Sequence, residues 1–355
     1  MVQGLAGLVR PAAGQPRYRE ELRRKARSAR SVRHRPLPSH IASVQAHLRS
    51  IFFPSSYDLQ TTHRLPTLFT IHGGGFVIGD ASDDDRWNRT FSDEHGALVI
   101  SLNYAKAPFP APLHDAACLF LACVEDPSLP IDAARVAVAG FSAGGNLALG
   151  LCQLQSVRAH AARPRAVVPI YPAIDASRSP EEKARRRHYK VDSSFSGVRG
   201  EDRDWVHPLA ELFDWTYIPA GTKLQHPLLS PLYVEKNVLP GYIFVIAAEL
   251  DYLADEARHL AFWVAGKQLD PSYDDIPGRP EASKEEGKLE LEDPRFAWEE
   301  EGVKWLLVPD VVHAFDFHVG AVVAGEGAVG DAEAKTRAYM GVLAEWLNRT
   351  VWGSS

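Results

Sequence analysis

The fold of this chain can be worked out from one stretch, Arg135-Val136-Ala137-Val138-Ala139-Gly140-Phe141-Ser142-Ala143-Gly144-Gly145. It begins with an apolar run that is typical of a buried parallel strand, and residues 146–155 after it have a helical pattern. A serine between two glycines, on a tight turn from strand to helix, matches the G-x-S-x-G motif of a catalytic nucleophile. The stretch therefore predicts Ser142 as a nucleophile, and the alternative is a glycine-rich turn without chemistry.

Outward from this stretch, short apolar runs alternate with helical patterns along most of the chain. Alternation of this kind predicts an α/β fold with a mostly parallel central sheet and helices on both faces. We expect strands at 67–71, 97–102, 135–139, 166–170, 242–247 and 303–308, with one or two more in 41–53. We expect helices at 113–124, 146–155, 254–265 and 332–347.

Two long segments interrupt the alternation. Residues 175–225 are polar and charged but contain Trp205, Phe213, Trp215 and Tyr217, whereas residues 270–302 are rich in Asp and Glu. Long insertions in compact domains are usually lids or surface loops. We therefore predict a cap over the site from 175–225 and a solvated surface insertion at about 270–302.

The run His72-Gly73-Gly74-Gly75 ends the first clear strand. Adjacent glycines can present backbone N–H groups without obstruction by side chains, and such groups can bind the oxyanion of a tetrahedral intermediate. The N–H group of Ala143, directly after the nucleophile, is the expected partner donor. The alternative is a flexible glycine turn, and His72 is expected to be a structural hydrogen-bonding residue.

The acid and the base of a serine hydrolase with this motif follow the nucleophile in the order serine, acid, histidine. Asp251 lies in the loop just after the strand at 242–248, and the nearby carboxylates Glu249, Asp255 and Glu256 compete with it for the role of the acid. Acidic residues are also favoured in the first turn of a helix, which is the simpler explanation for Asp255 and Glu256.

His313 lies a few residues after the last predicted strand, at the position expected of the base. His207, His226 and His318 have no such placement. The sequence order therefore predicts a triad of Ser142, Asp251 and His313.

The bulk composition narrows the class of protein. The chain has 355 residues, a net charge of −6 and three cysteines, with a basic run at 17–35. This charge gives no overall attraction to nucleic acid, and no stretch is long and apolar enough to predict a membrane span. The few cysteines and the lack of a recognisable signal peptide favour the cytoplasm, and the basic run leaves organelle targeting as an alternative.

Four motifs together resemble one family, the hormone-sensitive-lipase-like (type IV, GDXG) carboxylesterases of the α/β-hydrolase fold. They are HGGGF at 72–76, GFSAGG at 140–145, DYLADE at 251–256 and HAF at 313–315. The resemblance implies Ser142, Asp251 and His313 as catalytic residues, Gly73, Gly74 and Ala143 as oxyanion donors, and neither cofactor nor metal. It also implies one domain over 1–355, whose cap combines about 1–45 with 175–225. Phe141 departs from the Asp or Thr that the family usually has at that position.

These features predict a serine carboxylesterase that hydrolyses short- to medium-chain esters through an acyl-enzyme intermediate. The aromatic residues of 175–225 suggest an enclosed apolar pocket, which Phe141 would narrow further. Two alternatives use the same fold: an acyltransferase or lactonase with the same triad, and a ligand receptor without catalysis. We expect a small-molecule ester as the binding partner, and the sequence leaves both a monomer and a homodimer open.

Overall fold

Eight strands pair into one sheet in the computed structural model of the chain, which describes residues 48–58, 63–187, 205–267, 286–317 and 326–353. The strands are β1 (Leu48–Phe52), β2 (Leu65–Ile71), β3 (Leu98–Leu102), β4 (Ile131–Phe141), β5 (Ala166–Ile170), β6 (Tyr242–Ala248), β7 (Ala297–Glu300) and β8 (Val303–Val308). Their order in the sheet is β1-β3-β2-β4-β5-β6-β8-β7. The inner strands run parallel to one another, and β1 and β7 pair antiparallel at the two edges.

Helices cover both faces of this sheet. They are α1 (Asp85–His95), α2 (Ala111–Glu125), α3 (Ala143–Gln153), α4 (Gln155–Arg158), α5 (Pro180–Ala184), α6 (His207–Tyr217), α7 (Ala254–Val264) and α8 (Glu326–Leu347). Val136 and Val138 of β4 belong to a core that they share with α2, α3 and α7, whereas Ala137 and Ala139 belong to a second core with α1 and α8. Because alternate side chains of a strand point to opposite faces, both faces of β4 are buried, as its continuous apolar run predicts.

The predicted α/β architecture is confirmed, and each predicted strand overlaps an observed one. Within 41–53 the structure shows β1, while residues 41–47 lie outside the described residues. The strand β7 was not predicted, because its sequence Ala-Trp-Glu-Glu lies at the end of an acidic segment. It pairs with β8 at the edge of the sheet, where acidic side chains can stay in solvent.

Cys123 and Cys152 are buried, as small apolar residues are expected to be, but Cys118 is exposed because it lies on the solvent side of α2. None of the described helices combines the length and the apolar character that crossing a membrane requires.

The topology brings the predicted site residues to one edge of the sheet. The glycine run follows β2, Ser142 follows β4, Asp251 follows β6 by three residues, and His313 follows β8 by five. Since these four strands are parallel, their carboxyl ends lie at the same edge, where open α/β sheets generally bind ligands.

Candidate active site

Ser142 forms the turn between β4 and α3 and has a strained backbone. Its φ and ψ angles are 55° and −117°, and a positive φ is uncommon for a residue other than glycine. The backbone N–H of Ser142 donates to Ile170 O at the end of the neighbouring β5, at 2.9 Å. The adjacent strand therefore holds this turn in place, with the serine side chain at the carboxyl edge of the sheet.

The glycines that flank the serine are required by close contacts. A Cβ atom at Gly140 would lie 2.1 Å from Gly144 O, and one at Gly144 would lie 2.0 Å from Ile71 O. Both distances are far shorter than any van der Waals contact. The G-x-S-x-G pattern at this turn therefore follows from how tightly α3 approaches β2 and β4.

Ser142, His313 and Asp251 form one continuous chain of hydrogen bonds. His313 Nε2 lies 2.9 Å from Ser142 Oγ, and His313 Nδ1 lies 2.7 Å from Asp251 Oδ2. Asp251 and His313 are buried, whereas Ser142 is half-buried. The second carboxylate oxygen of Asp251 accepts a hydrogen bond from the backbone N–H of Leu253 at 2.9 Å, which holds the carboxylate in its orientation.

The three rival carboxylates are engaged elsewhere. Glu249 accepts a hydrogen bond from the N–H of Asp310, and Asp255 is paired with arginines that include Arg178 and Arg186.

Glu256 binds the N–H of Ile174 and the ammonium group of Lys183 at 2.7 and 2.8 Å. Burial raises the pKa of Glu256 to about 7, against the opposing effect of Lys183.

The loop that carries His313 is bent sharply, and a hydrogen bond to its backbone holds it in place. Asp310 and Ala314 both have positive φ angles, of 59° and 57°. The indole N–H of Trp205 donates to the backbone carbonyl of His313 at 3.0 Å. Of the other histidines, His207 contacts Pro180 O at 3.2 Å, and His318 lies outside the described residues.

Gly73 and Gly74 lie beside Ser142. A Cβ atom at Gly73 would be 3.4 Å from the Ser142 Cβ and 3.1 Å from Phe141 O, so the glycine run packs directly on the serine turn. The φ angle of Gly74 is +100°, and a Cβ atom there would lie 2.2 Å from Ile78 O. The run thus adopts a backbone that only glycine tolerates, next to the amino end of α3, where Ala143 begins the helix.

His72 holds the glycine run in this shape. Its Nδ1–H donates to Gly73 O at 2.7 Å, and the Tyr104 hydroxyl donates to the same oxygen at 3.0 Å. Lys106 donates to His72 Nε2 at 2.9 Å. Burial, with Lys106 as a second cause, lowers the pKa of His72 to about 4, so the ring is neutral near pH 7. His72 is thus the structural hydrogen-bonding residue that the sequence predicted.

Three of the four aromatic residues in the predicted cap contact the site segments. Phe213 of α6 lies over Gly75, where a Cβ atom would be 2.3 Å from its ring, and Tyr217 stacks on Phe76 with ring centroids 3.7 Å apart. Trp205 reaches the His313 backbone, as described above, whereas Trp215 is 48% exposed. The cap itself stays a prediction, and its residues 1–45 lie outside the described residues.

Phe141 is fully buried and does not line the site. Its ring packs against Trp87, with centroids 5.2 Å apart, and against Phe317, at 5.9 Å, in the core shared with α1 and α8. The expectation that Phe141 narrows the pocket is therefore wrong: as the last residue of β4, its side chain points to the opposite side of the sheet from α3. Phe141 instead supports the serine turn by packing in the core on the face of the sheet opposite α3.

Sequence reasoning missed a group of polar residues behind His313. Tyr171 contacts the His313 ring, and its hydroxyl donates to Asp316. No motif or spacing marks these residues, since Tyr171 and Asp316 are 145 positions apart. Within the described ranges, no three His, Cys, Asp or Glu side chains are placed to hold a metal ion.

Comparisons with known proteins identify the family and the fold of the chain. The sequence profile of the Abhydrolase_3 family, described as alpha/beta hydrolase fold, matches residues 68–280. An ethyl acetate hydrolase from Pseudomonas putida is 34% identical over 205 residues, which are 54% of this chain and 59% of that protein. An acetyl-hydrolase from Streptomyces hygroscopicus is 30% identical over 198 residues, 55% of this chain and 60% of that protein. The chain thus spans about 60% of the length of these two relatives.

Solved structures show the same fold at lower sequence identity. Brefeldin A esterase, a bacterial homologue of human hormone-sensitive lipase, has a TM-score of 0.56 and 20% identity, over 84% of this chain and 73% of that one. A bacterial heroin esterase has a TM-score of 0.55 and 22% identity, over 81% and 77% of the two chains. At this identity the similarity supports the fold alone.

Proposed function

The chain belongs to the Abhydrolase_3 family of the α/β-hydrolase fold, and from this premise we propose that it is a serine carboxylesterase acting through an acyl-enzyme intermediate. Membership confirms the resemblance to hormone-sensitive-lipase-like carboxylesterases that its motifs indicate. The observation that carries the proposal is the unbroken hydrogen-bonded chain from Ser142 through His313 to Asp251.

In the first half of the proposed reaction, His313 Nε2 takes the proton of Ser142 as its Oγ attacks the ester carbonyl. Asp251 keeps the other ring nitrogen protonated, so that Nε2 is free to accept, and it stabilises the imidazolium that forms. The alcohol then leaves with the proton from His313. In the second half, His313 activates water, which releases the acid from Ser142.

The backbone N–H groups of Gly73, Gly74 and Ala143 would bind the oxyanion in both halves. Their position at the amino end of α3 adds the favourable end of the helix dipole. Removing one such donor typically lowers kcat by a factor on the order of 10²–10³.

The alternatives differ from this proposal in the acceptor or in the absence of chemistry. An acyltransferase would use the same three residues with an acyl acceptor other than water. A lactonase would use them on a cyclic ester. A receptor without catalysis is disfavoured by the short contacts at both nitrogens of His313, which binding alone does not need. The names of the two curated relatives, an ethyl acetate hydrolase and an acetyl-hydrolase, favour hydrolysis of small acyl groups.

We expect activity to fall as the acyl chain of the ester lengthens. Phe213 over Gly75 and Trp205 on the His313 backbone place bulky side chains against the glycine run and the histidine loop. Overfilling a packed site typically costs about 1–3 kcal/mol, which corresponds to roughly five- to 150-fold in rate. The kcat/KM values of p-nitrophenyl acetate, butyrate, octanoate and palmitate, measured in one detergent-matched buffer, test this.

Phe213→Ala is the matched variant for this panel. Because it opens space over the glycine run, we expect it to raise the octanoate-to-acetate ratio of kcat/KM, whereas Trp215→Ala, on the exposed side of α6, should leave the ratio unchanged. A wild-type preference for palmitate with activation at an oil–water interface would show that the substrates are long-chain lipids.

Tyr104→Phe is expected to lower kcat about three- to tenfold and to leave KM nearly unchanged. The carbonyl of Gly73 and the N–H of Gly74 belong to one peptide unit, so the hydroxyl that donates to this carbonyl both orients and polarises the proposed oxyanion donor. One neutral hydrogen bond typically contributes about 0.5–1.5 kcal/mol. Steady-state kinetics with p-nitrophenyl acetate measure the effect.

Tyr233→Phe is the control for this change. Its hydroxyl contacts Ser177, away from the glycine run, and we expect wild-type kinetics. An unchanged kcat in Tyr104→Phe would mean that the Gly73–Gly74 peptide needs no such support.

A further inference from the structure

Behind the catalytic histidine lies a buried tyrosine with a strained backbone. The rings of Tyr171 and His313 are in contact, with centroids 4.9 Å apart and planes inclined by 59°. Tyr171 is the first residue after β5, is 1% exposed and has a φ angle of 35°, which is costly for a tyrosine. Its N–H donates to Ile246 O of β6 at 2.6 Å. The backbone thus holds the phenol ring against the imidazole.

The phenol is anchored in turn by a carboxylate from the histidine loop itself. Asp316, three residues after His313, accepts the Tyr171 hydroxyl on Oδ1 at 2.5 Å and the Tyr339 hydroxyl on Oδ2. Trp87 of α1 donates to the Tyr339 hydroxyl at 2.6 Å. Through these hydrogen bonds the loop that carries His313 is tied to β5, to α8 and to α1.

Both carboxylate oxygens of Asp316 accept hydrogen bonds from hydroxyl groups, which stabilises a negative charge on Asp316 close to the imidazole. Burial raises the pKa of Asp316, and the two hydroxyl donors oppose that effect. Asp84 is also buried, and its pKa is raised well above the usual value, first by burial and then by Asp316. Neither carboxylate oxygen of Asp84 has a hydrogen-bond partner in the part of the chain that the structure describes. Of the two carboxyl groups, Asp316 rather than Asp84 therefore carries the negative charge, because two hydroxyl groups donate hydrogen bonds to it.

Further charged groups face this region in the part of the chain that the structure describes. Asp251 contacts Nδ1 of the His313 ring. A pocket that Asp316 lines is also lined by Arg86, Glu333 and Arg337. Arg86 and Glu333 are paired with each other at 2.8 Å, so they add little net charge.

We propose that Asp316 and Tyr171 are positioning residues for His313: the carboxylate fixes the phenol, and the phenol keeps the imidazole aimed at Ser142. The inference rests on the proposed function, because it assigns His313 the part of the base. Neither residue needs to touch the substrate. A second consequence is electrostatic, since a negative charge at Asp316 favours the imidazolium form of His313 and raises its basicity.

The test compares Asp316→Asn and Tyr171→Phe with Tyr339→Phe. The last variant removes an equally buried hydroxyl from the same carboxylate but leaves the phenol between Asp316 and His313 in place. For p-nitrophenyl acetate we expect kcat to fall about tenfold in Asp316→Asn and about fivefold in Tyr171→Phe, with KM nearly unchanged, since small misplacements of a catalytic group can cost up to about 10². Tyr339→Phe should stay within about twofold of wild type.

The pH profile separates a positioning role from a structural one. The acid limb of kcat/KM reports protonation of the free histidine. Without the negative charge, the imidazolium is less stable, so the acid limb of Asp316→Asn should move to lower pH by roughly 0.5–1 unit, at the lower end of what a neighbouring charge causes. Tyr171→Phe keeps the charge and should leave the limb in place.

An NMR titration of protein labelled with [13Cε1]histidine tests the inference without any turnover. The signal of His313 is the one missing from His313→Asn, and its pKa should fall in Asp316→Asn by the same amount as the acid limb. If wild type hydrolyses no ester, the proposed function fails while this titration still decides the influence of Asp316. Equal losses of kcat in Tyr171→Phe and Tyr339→Phe, or an unshifted His313 titration in Asp316→Asn, would overturn the inference. Should Asp316→Asn not fold, Tyr171→Phe, which lacks a single oxygen atom, still decides the positioning role through its kcat.

Discussion

Ser142→Ala is expected to lower kcat for p-nitrophenyl acetate by at least about 10⁴-fold while the protein stays folded. Without Oγ no acyl-enzyme can form, and what remains is the binding of substrate and oxyanion by backbone groups, which alone supports only weak catalysis. The change should not disturb the turn, because the hydrogen bond from the Ser142 N–H to Ile170 O and the close contacts of Gly140 and Gly144 do not involve the hydroxyl. Stopped assays with purified protein and a thermal melt check both parts.

A fluorophosphonate probe provides an independent measurement for the same variant. It should add to wild type at Ser142, as located by peptide mass, and it should leave Ser142→Ala unlabelled. Ser177→Ala is the matched control, since this serine lies in the predicted cap and its hydroxyl binds Asp175 rather than a histidine. Near-wild-type turnover by folded Ser142→Ala would mean that another residue is the nucleophile.

Asp251→Asn is expected to lower kcat by a factor on the order of 10⁴ with little change in the fold. The amide that replaces the carboxylate would donate to His313 Nδ1, which forces the ring proton onto Nε2. That tautomer cannot accept the proton of Ser142. Because the amide has nearly the same size as the carboxylate and Asp251 is completely buried, the packing around it should persist.

Asp255→Asn and Glu249→Gln are the matched controls, because each is a competing carboxylate within four residues of Asp251. Asp255 is paired with arginines and Glu249 with the N–H of Asp310, so we expect both variants to keep kcat within about threefold of wild type. A loss in either control as large as that in Asp251→Asn would reassign the acid.

Local patterns predicted much of the fold. The strands β4 and β5 read as continuous apolar runs because parallel strands are covered on both faces, and this required no knowledge of their partners. The edge strand β7 was not predicted, because half of its residues are acidic and its sequence has no apolar pattern of a strand. Its pairing with β8 is what makes this segment a strand. Phe141 shows the same limit: bulk beside a nucleophile suggests a narrowed pocket, but the pleat of β4 turns the ring into the core.

For the site, the sequence by itself determined the serine turn, the glycine run and the order serine, acid, histidine, because each depends on backbone chemistry within a few neighbouring residues. The position of Asp251 after the strand favoured it as the acid, but its hydrogen bond to His313 depends on the tertiary structure, since only the exact path of the chain after β6 separates it from Glu249 and Asp255. The contact of Tyr171 with His313, and the hydrogen bonds that join Tyr171, Asp316, Tyr339 and Trp87, were likewise decided only in three dimensions. Trp87 and Tyr339 are 252 positions apart, and a hydrogen bond between such distant residues leaves no periodicity or spacing in the sequence.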